Sequence, residues 1–373
     1  VCKFVIRVMT RKHYNIYRSQ AEGFDKALEE VLSAIIANTA EPTRITLFAS
    51  PADNTQFSEQ RKQLEEAVSA RFAHKPMTAY IAQAPLCSKL AAEVMTIAGE
   101  EVESIEYHDD YIVVNDNELI SGGIYADQRL GIDQQSEIIF ARIKEILNAA
   151  NIATNDIVRQ WNYIEQITHI GERGQHYQLF NDARSAFYDT VQWSNGYPAA
   201  TGIGAQAGGV TVVFDAIRNS AERSTPIDNP LQISAHAYSQ QVLINNTDAH
   251  KTTPKFERAR HISGHEQMIH ISGTAAIRGE ESCQEDITGQ TALTMENIDY
   301  LTGVDNQRAN GVESPEKMEY ATMRAYLKYR ENLEDVTTWM NDHYPSMQVL
   351  YLWADICREE LLIEIEGVAK QTN

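Results

Sequence analysis

Cysteine is scarce in this chain: among 373 residues there are four, Cys2, Cys87, Cys283 and Cys357, and no two form a C-x-x-C pair. That excludes the dense disulfide framework of small secreted domains, and the four read as reduced thiols of a cytoplasmic protein. Basic residues are also few, 32 Lys plus Arg against 52 Asp plus Glu, for a formal net charge of −20. Such a surface repels a phosphate backbone, so nucleic acid is not an expected partner. An anionic small molecule would need a local cluster of arginines. Long apolar runs are missing too. The most apolar stretch at the start, Val1 to Met9, is interrupted by Lys3 and Arg7. It is too short and too charged for a signal or a spanning segment, and it reads as a strand, with no membrane association expected. There is no G-x-S-x-G elbow and no Walker loop, which sets aside serine-hydrolase and phosphate-loop chemistry.

What is present is an ordinary globular composition, 43% hydrophobic and 23% charged. At roughly 150 residues per domain the length suggests two domains. An internal repeat supports that division. In the first copy a strand Glu118 to Tyr125 precedes an amphipathic helix Gln135 to Ala149, with Ile139, Ile143, Ile146 and Leu147 at helical spacing, and then a strand Arg159 to Ile164. In the second, a strand Met268 to Ala276 precedes a helix Ile287 to Leu301 and a strand Tyr320 to Arg330. Further helices over Ala21 to Asn38 and Gln56 to Ala73 flank a short strand Arg44 to Phe48. This alternation predicts an α/β (α+β) fold, a mixed sheet with helices on one face. The expected division is 1–150 and 151–373.

Gly202-Ile-Gly204-Ala-Gln-Ala207 fits the letters of a dinucleotide fingerprint, but Gly208, Gly209 and a β-branched run follow in place of a helix. It reads as a turn whose bare backbone admits a ligand. His261, His265 and His270 have no supporting cysteine or carboxylate cluster, and Ser263 and Gly264 break any helix that would align the first two. No metal or other cofactor is therefore expected. At the C-terminus, Val349 to Gly367 reads as two strands around a short turn. Strand alternation puts Glu364 and Glu366 on one face. Two adjacent carboxylates can raise one pKa and make a general acid, or they can simply form a solvated strand face. Tyr326, Lys328 and Arg330 share a face of their strand, and an arginine beside an aromatic suits a planar carboxylate.

The strand Ile271-Ser-Gly-Thr-Ala-Ala276, the helix opening Thr288-Gly-Gln290 and the closing Ile363-Glu-Ile-Glu366-Gly resemble the Rid (YjgF-like) family, and the first repeat looks like a degenerate copy. Trp161-Asn-Tyr-Ile164, Tyr177 to Arg184, Pro198 to Gly204, Pro254 to Ala259 and Ala354 to Arg358 are similar to chorismatases. The resemblance covers roughly 110 to 368. It implies an N-terminal degenerate Rid-like domain, a catalytic Rid-like domain after it, and a substrate, chorismate, whose enolpyruvyl group leaves as pyruvate. By the resemblance, Glu364, or failing it Glu366, protonates the enol methylene. Arg258 and Arg330 hold carboxylates, Tyr163 and Tyr177 line the ring, and the backbones of Thr201, Gly202, Gly273 and Ala275 approach the substrate. Water capture of the cation gives a dihydrodiol, and capture by the substrate's own hydroxyl gives a hydroxybenzoate. Cys357, seven residues before Glu364, marks the hydroxybenzoate branch in this resemblance, with 3-hydroxybenzoate the favoured isomer, though it can equally be an inert buried thiol. The competing readings are a Rid-type imine or enamine deaminase, and a non-catalytic protein that binds a small aromatic acid. A homotrimer is expected by analogy with Rid domains.

Overall fold

The computed structural model describes residues 11–39, 41–99, 102–237, 252–264 and 266–372. The strand expected over 1–9, Cys2 and His265 lie outside these residues.

Three α/β units follow one another along the chain. The first comprises β1 (Arg11–Ser19), α1 (Phe24–Asn38), β2 (Arg44–Ala49), α2 (Asn54–Arg71), β3 (Met77–Ala82) and β4 (Leu90–Ala98). The second has β5 (Glu118–Ser121), α3 (Ile132–Ala149), β6 (Ile157–Glu165), α4 (His176–Tyr188), β7 (Ala199–Ala205) and β8 (Val210–Ile217). The third has β9 (Met268–Ala275), α5 (Ile287–Thr302), β10 (Met318–Leu327), α6 (Leu333–His343), β11 (Val349–Trp353) and β12 (Ile363–Gln371).

In every unit the strand order is first, last, second, third: β1-β4-β2-β3, β5-β8-β6-β7 and β9-β12-β10-β11. The last strand runs antiparallel to both neighbours, and the second and third are parallel. Parallel neighbours need a crossover, which α2, α4 and α6 supply. The two repeats read in the sequence are the second and third units, each enlarged to seven strands, and residues 11–98 add a third copy with the same connectivity. A boundary at 150 falls between α3 and β6, inside the second unit.

Local chemistry explains the elements. Helix α1 buries Ala27, Leu28, Val31, Leu32 and Ile35, one stripe at helical spacing. Asp53 and Asp286 cap α2 and α5, accepting hydrogen bonds from the backbone N–H groups of Gln56 and Gly289. The central strands are buried on both faces, and β6 exposes none of its residues from Ile157 to Ile164. One face of each sheet meets its own helices. The other meets the neighbouring sheets, in a core that joins Phe48 and Ile81 of the first unit, Trp161 and Ile203 of the second, and Tyr326 and Leu352 of the third.

Buried ion pairs stitch that core. Arg44 on β2 pairs with Asp215 on β8 at 2.5 Å, Arg159 on β6 with Glu366 on β12, and Arg324 on β10 with Glu93 on β4 at 2.5 Å. Each arginine stands on the second strand of its unit and each acid on the last strand of the next, so the pairs run cyclically around the three interfaces. The three guanidinium carbons lie 4.8, 4.5 and 5.7 Å from the ring centre of Trp161. Cation–π attraction to one indole thus gathers the three arginines.

Two expectations about local structure change. Gly202 and Gly204 lie within β7, a strand and not a turn. A Cβ on Gly202 would meet the Tyr177 ring at 3.0 Å, and one on Gly204 would lie 2.7 Å from the Asp355 carbonyl oxygen, so glycine serves close packing there. The two C-terminal strands are not paired with each other: β10 lies between β11 and β12. Among the described residues no helix is long and apolar enough to cross a membrane.

Candidate active site

A recess opens between the second and third units, where β7 passes β9 and β12. It opens to solvent and is lined by side chains of both units. Helix α4 contributes Tyr177, Gln178, Asn181 and Arg184 to one wall. Residues 177, 181 and 184 are spaced to lie on one helical face. Strand β7 contributes Ala200 and Gly202, β9 contributes Gly273 and Ala275, and β12 contributes Glu364. The segments before β9 and β12 add Phe256 and Arg258, and Cys357 and Arg358.

Glu364 is 6% exposed and Glu366 1%, so neither belongs to a solvated strand face. Their surroundings differ sharply. Glu366 accepts hydrogen bonds from Arg159, from Arg324 at 3.2 Å, and from the hydroxyls of Thr201 and Tyr326. Four donors saturate its oxygens and fix the side chain. Among the described residues none donates a hydrogen bond to Glu364. Burial, and then the neighbouring charge of Glu366, push the Glu364 carboxyl up to about 8, against the pull of Arg159 and Arg258. At neutral pH it carries a proton. Its side chain packs against Gly273, where a Cβ would lie 2.1 Å from a carboxyl oxygen. Any other residue at 273 would displace the acid.

Thr201 is buried beside the recess. Its hydroxyl donates to Glu366 and accepts from Arg159 at 2.8 Å and from the Gly273 backbone N–H at 3.0 Å. Tyr163 sits deeper, its hydroxyl accepting from Arg324 at 2.8 Å. It supports the charged network and does not line the recess. Burial pushes the Cys357 thiol up to about 12, with Glu364 adding to the effect, so the thiol is neutral in the recess. Tyr177 is likewise held above its ordinary value, by burial first.

Arg330 does not join the site. Strand β10 ends at Leu327, and Arg330 occupies an exposed turn with its guanidinium 4.2 Å from the Trp353 ring centre. Lys328 donates to the Glu359 carbonyl, so the face drawn through 326, 328 and 330 dissolves where the strand stops. Arg184 and Arg358 bring positive charge to the recess instead. Arg184 is 2% exposed, bonds Asn181 at 2.6 Å and has a buried Nε with no hydrogen-bond partner among the described residues. Arg258 donates to the Ile233 carbonyl at 2.5 Å and keeps its place at the wall.

Of the three histidines weighed in the sequence, His261 and His270 lie among the described residues. His261 bonds Gln267 at 2.8 Å, and burial pushes His270 down to about 3. Among the described residues no group of three His, Cys, Asp or Glu could hold a metal ion.

Residues 95–216 match the family described as chorismatase FkbO/Hyg5-like, N-terminal. A 3-hydroxybenzoate synthase of Streptomyces hygroscopicus is 28% identical over 224 residues, covering 57% of this chain and 63% of that protein. A chorismatase of the same organism is 33% identical over 218 residues, covering 57% and 61%. The matched region thus spans under two thirds of these relatives. A chorismatase crystal structure superposes with a TM-score of 0.73 at 20% identity, covering 96% of this chain and 98% of the other. The chain therefore has the fold of that chorismatase structure over nearly its whole length, and residues 95–216 are similar to the N-terminal domain of the chorismatase family.

Proposed function

We propose that the protein converts chorismate, releasing its enolpyruvyl group as pyruvate, with Glu364 as the proton donor. The observation that carries the reading is a carboxylic acid kept protonated at neutral pH, at the wall of a recess that three guanidinium groups also line. Chorismate brings two carboxylates, and Arg184, Arg258 and Arg358 supply cations to receive them against the chain's net charge of −20.

Glu364 gives its proton to the enol methylene carbon, which becomes the methyl group of pyruvate. The positive charge left on the ether carbon is an oxocarbenium, next to the Glu364 carboxylate just formed. The neighbouring ring hydroxyl adds to that carbon and gives its proton to the Glu364 carboxylate, restoring the acid. The added oxygen's bond to the ring then breaks and it leaves as the ketone oxygen of pyruvate, while the ether oxygen stays on the ring. The ring proton lost on aromatisation balances the proton that this ether oxygen takes up, leaving a hydroxybenzoate. Capture by water would leave a dihydrodiol. The neutral Cys357 thiol beside Glu364, and the 3-hydroxybenzoate synthase among the relatives, support the hydroxybenzoate product.

We also infer that the chain acts singly. A homotrimer of Rid-like chains would bring three units together, and three units already meet within this one.

The test is incubation of the purified chain with chorismate, following pyruvate by a coupled assay and separating the aromatic products. Pyruvate and a hydroxybenzoate in equal amounts are expected, and Glu364→Gln should lower kcat by ~10²–10⁴ with near-normal ligand binding. Binding without turnover in the wild type would identify an aromatic-acid binding protein, and turnover of imines alone would identify a deaminase.

A further inference from the structure

The second carboxylate of β12 touches none of the recess, yet it is the most heavily bonded acid near it. Glu366 is held by Arg159 from β6, Arg324 and Tyr326 from β10, and Thr201 from β7. Two of these partners also reach toward Glu364. Tyr326 is the cross-strand neighbour of Glu364 in the β10–β12 register. Thr201 holds the N–H of Gly273, the residue against which the Glu364 carboxyl lies. The groups facing Glu364 from surrounding elements are Arg159 on β6, Arg258 before β9, Tyr177 on α4 and Cys357 before β12. Glu366 is the one carboxylate that acts on Glu364 among the described residues, and it also occupies the charge of Arg159.

We propose that Glu366 is a positioning residue for the reaction: fixed by Arg159, Arg324, Thr201 and Tyr326, its carboxylate keeps Glu364 in the acid form and seated on Gly273. The proposal rests on the assignment of Glu364 as proton donor. It gives the two glutamates unlike tasks, one that moves a proton and one that never does. Neutralising Glu366 would remove a negative neighbour and release Arg159 toward Glu364, and both changes favour the ionised, inactive form of the donor.

The experiment compares wild type, Glu366→Gln, Thr201→Val and Tyr326→Phe in two readouts. The first is the pH dependence of kcat/KM with chorismate. The second, which needs no substrate, is the infrared carboxyl band of Glu364, assigned by its absence in Glu364→Gln. In Glu366→Gln the basic limb and the titration of the band should both move down by about one pH unit or more, and the rate below the limb should fall as well, because the donor loses the network that seats it. Thr201→Val cuts the tie to Gly273 without changing charge, so kcat should fall with the limb in place. Tyr326→Phe should behave likewise. An unmoved limb in Glu366→Gln, with a loss equal at every pH, would show a structural role and overturn the proposal. If that variant does not fold, wild-type rates in Thr201→Val and Tyr326→Phe, or a shift of the limb in either, overturn it. A wild type that ignores chorismate but shows the expected band shift would refute the substrate and leave the positioning role standing.

Discussion

Keeping an acid protonated inside a protein has a thermodynamic signature that can be read without any substrate. Glu364 is pushed from an ordinary 4.5 to about 8 in the folded chain, and at 6% exposure solvent screens it little. The folded state therefore binds this proton more tightly than the unfolded state does. The stability this contributes is complete below pH ~4.5 and is lost as pH rises to and through about 8. A shift of that size corresponds to about 5 kcal/mol at ~1.4 kcal/mol per unit, an upper figure if the recess relaxes when the group ionises. Glutamine at 364 keeps the shape and cannot titrate. Urea unfolding of wild type and Glu364→Gln between pH 5 and 9 isolates the effect, since all other groups titrate alike in both and cancel. The variant should gain on the wild type steadily with pH, by several kcal/mol across the range. Curves that stay parallel within about 1 kcal/mol would mean Glu364 is ionised in the folded state at neutral pH, and the proton-donor assignment would fall with it.

Two further outcomes follow from the geometry. Arg258→Ala and Arg184→Ala should each weaken binding of chorismate or a hydroxybenzoate by roughly ten- to a hundredfold, the value of one charge-assisted bond, in a calorimetric titration. Arg330→Ala should leave affinity unchanged, and a loss there would mean the substrate reaches beyond the recess. In solution the mass by light scattering should equal one chain, 42.0 kDa, and a value three times larger would refute the idea that the internal ring replaces a trimer.

The pairing of Glu364 with Glu366 was legible because a strand's alternation is independent of its surroundings. What alternation cannot show is which of two like residues will find donors. Those donors come from β6, β7 and β10, separated by 40 to more than 200 residues from Glu366. Arg330 was misplaced for a local reason: face counting assumed the strand continued past Leu327, and it does not. Arg184 was within reach, since its i, i+4, i+7 relation to Tyr177 and Asn181 is a helical signal. The first unit escaped notice because its kinship to the others lies in strand order, which no short run of letters records. Its Arg44 and Glu93 nevertheless take the same places in the cyclic pairing as their counterparts.

Three unlike copies in one chain have a freedom that three identical chains lack, since a change in one copy is not repeated in the others. The interface between the first and second units illustrates its use. There Val213 stands two residues before Asp215, on the same strand face, as Glu364 stands two residues before Glu366. Where the functional recess would have its counterpart, the rings of Phe57, Tyr80 and Tyr125 meet, with centres 5.0 and 6.1 Å apart. An aliphatic side chain stands in the acid's place, and an aromatic cluster fills the space beside it. Packing fills that junction, while the pair of acids on one strand face stands where the second and third units meet.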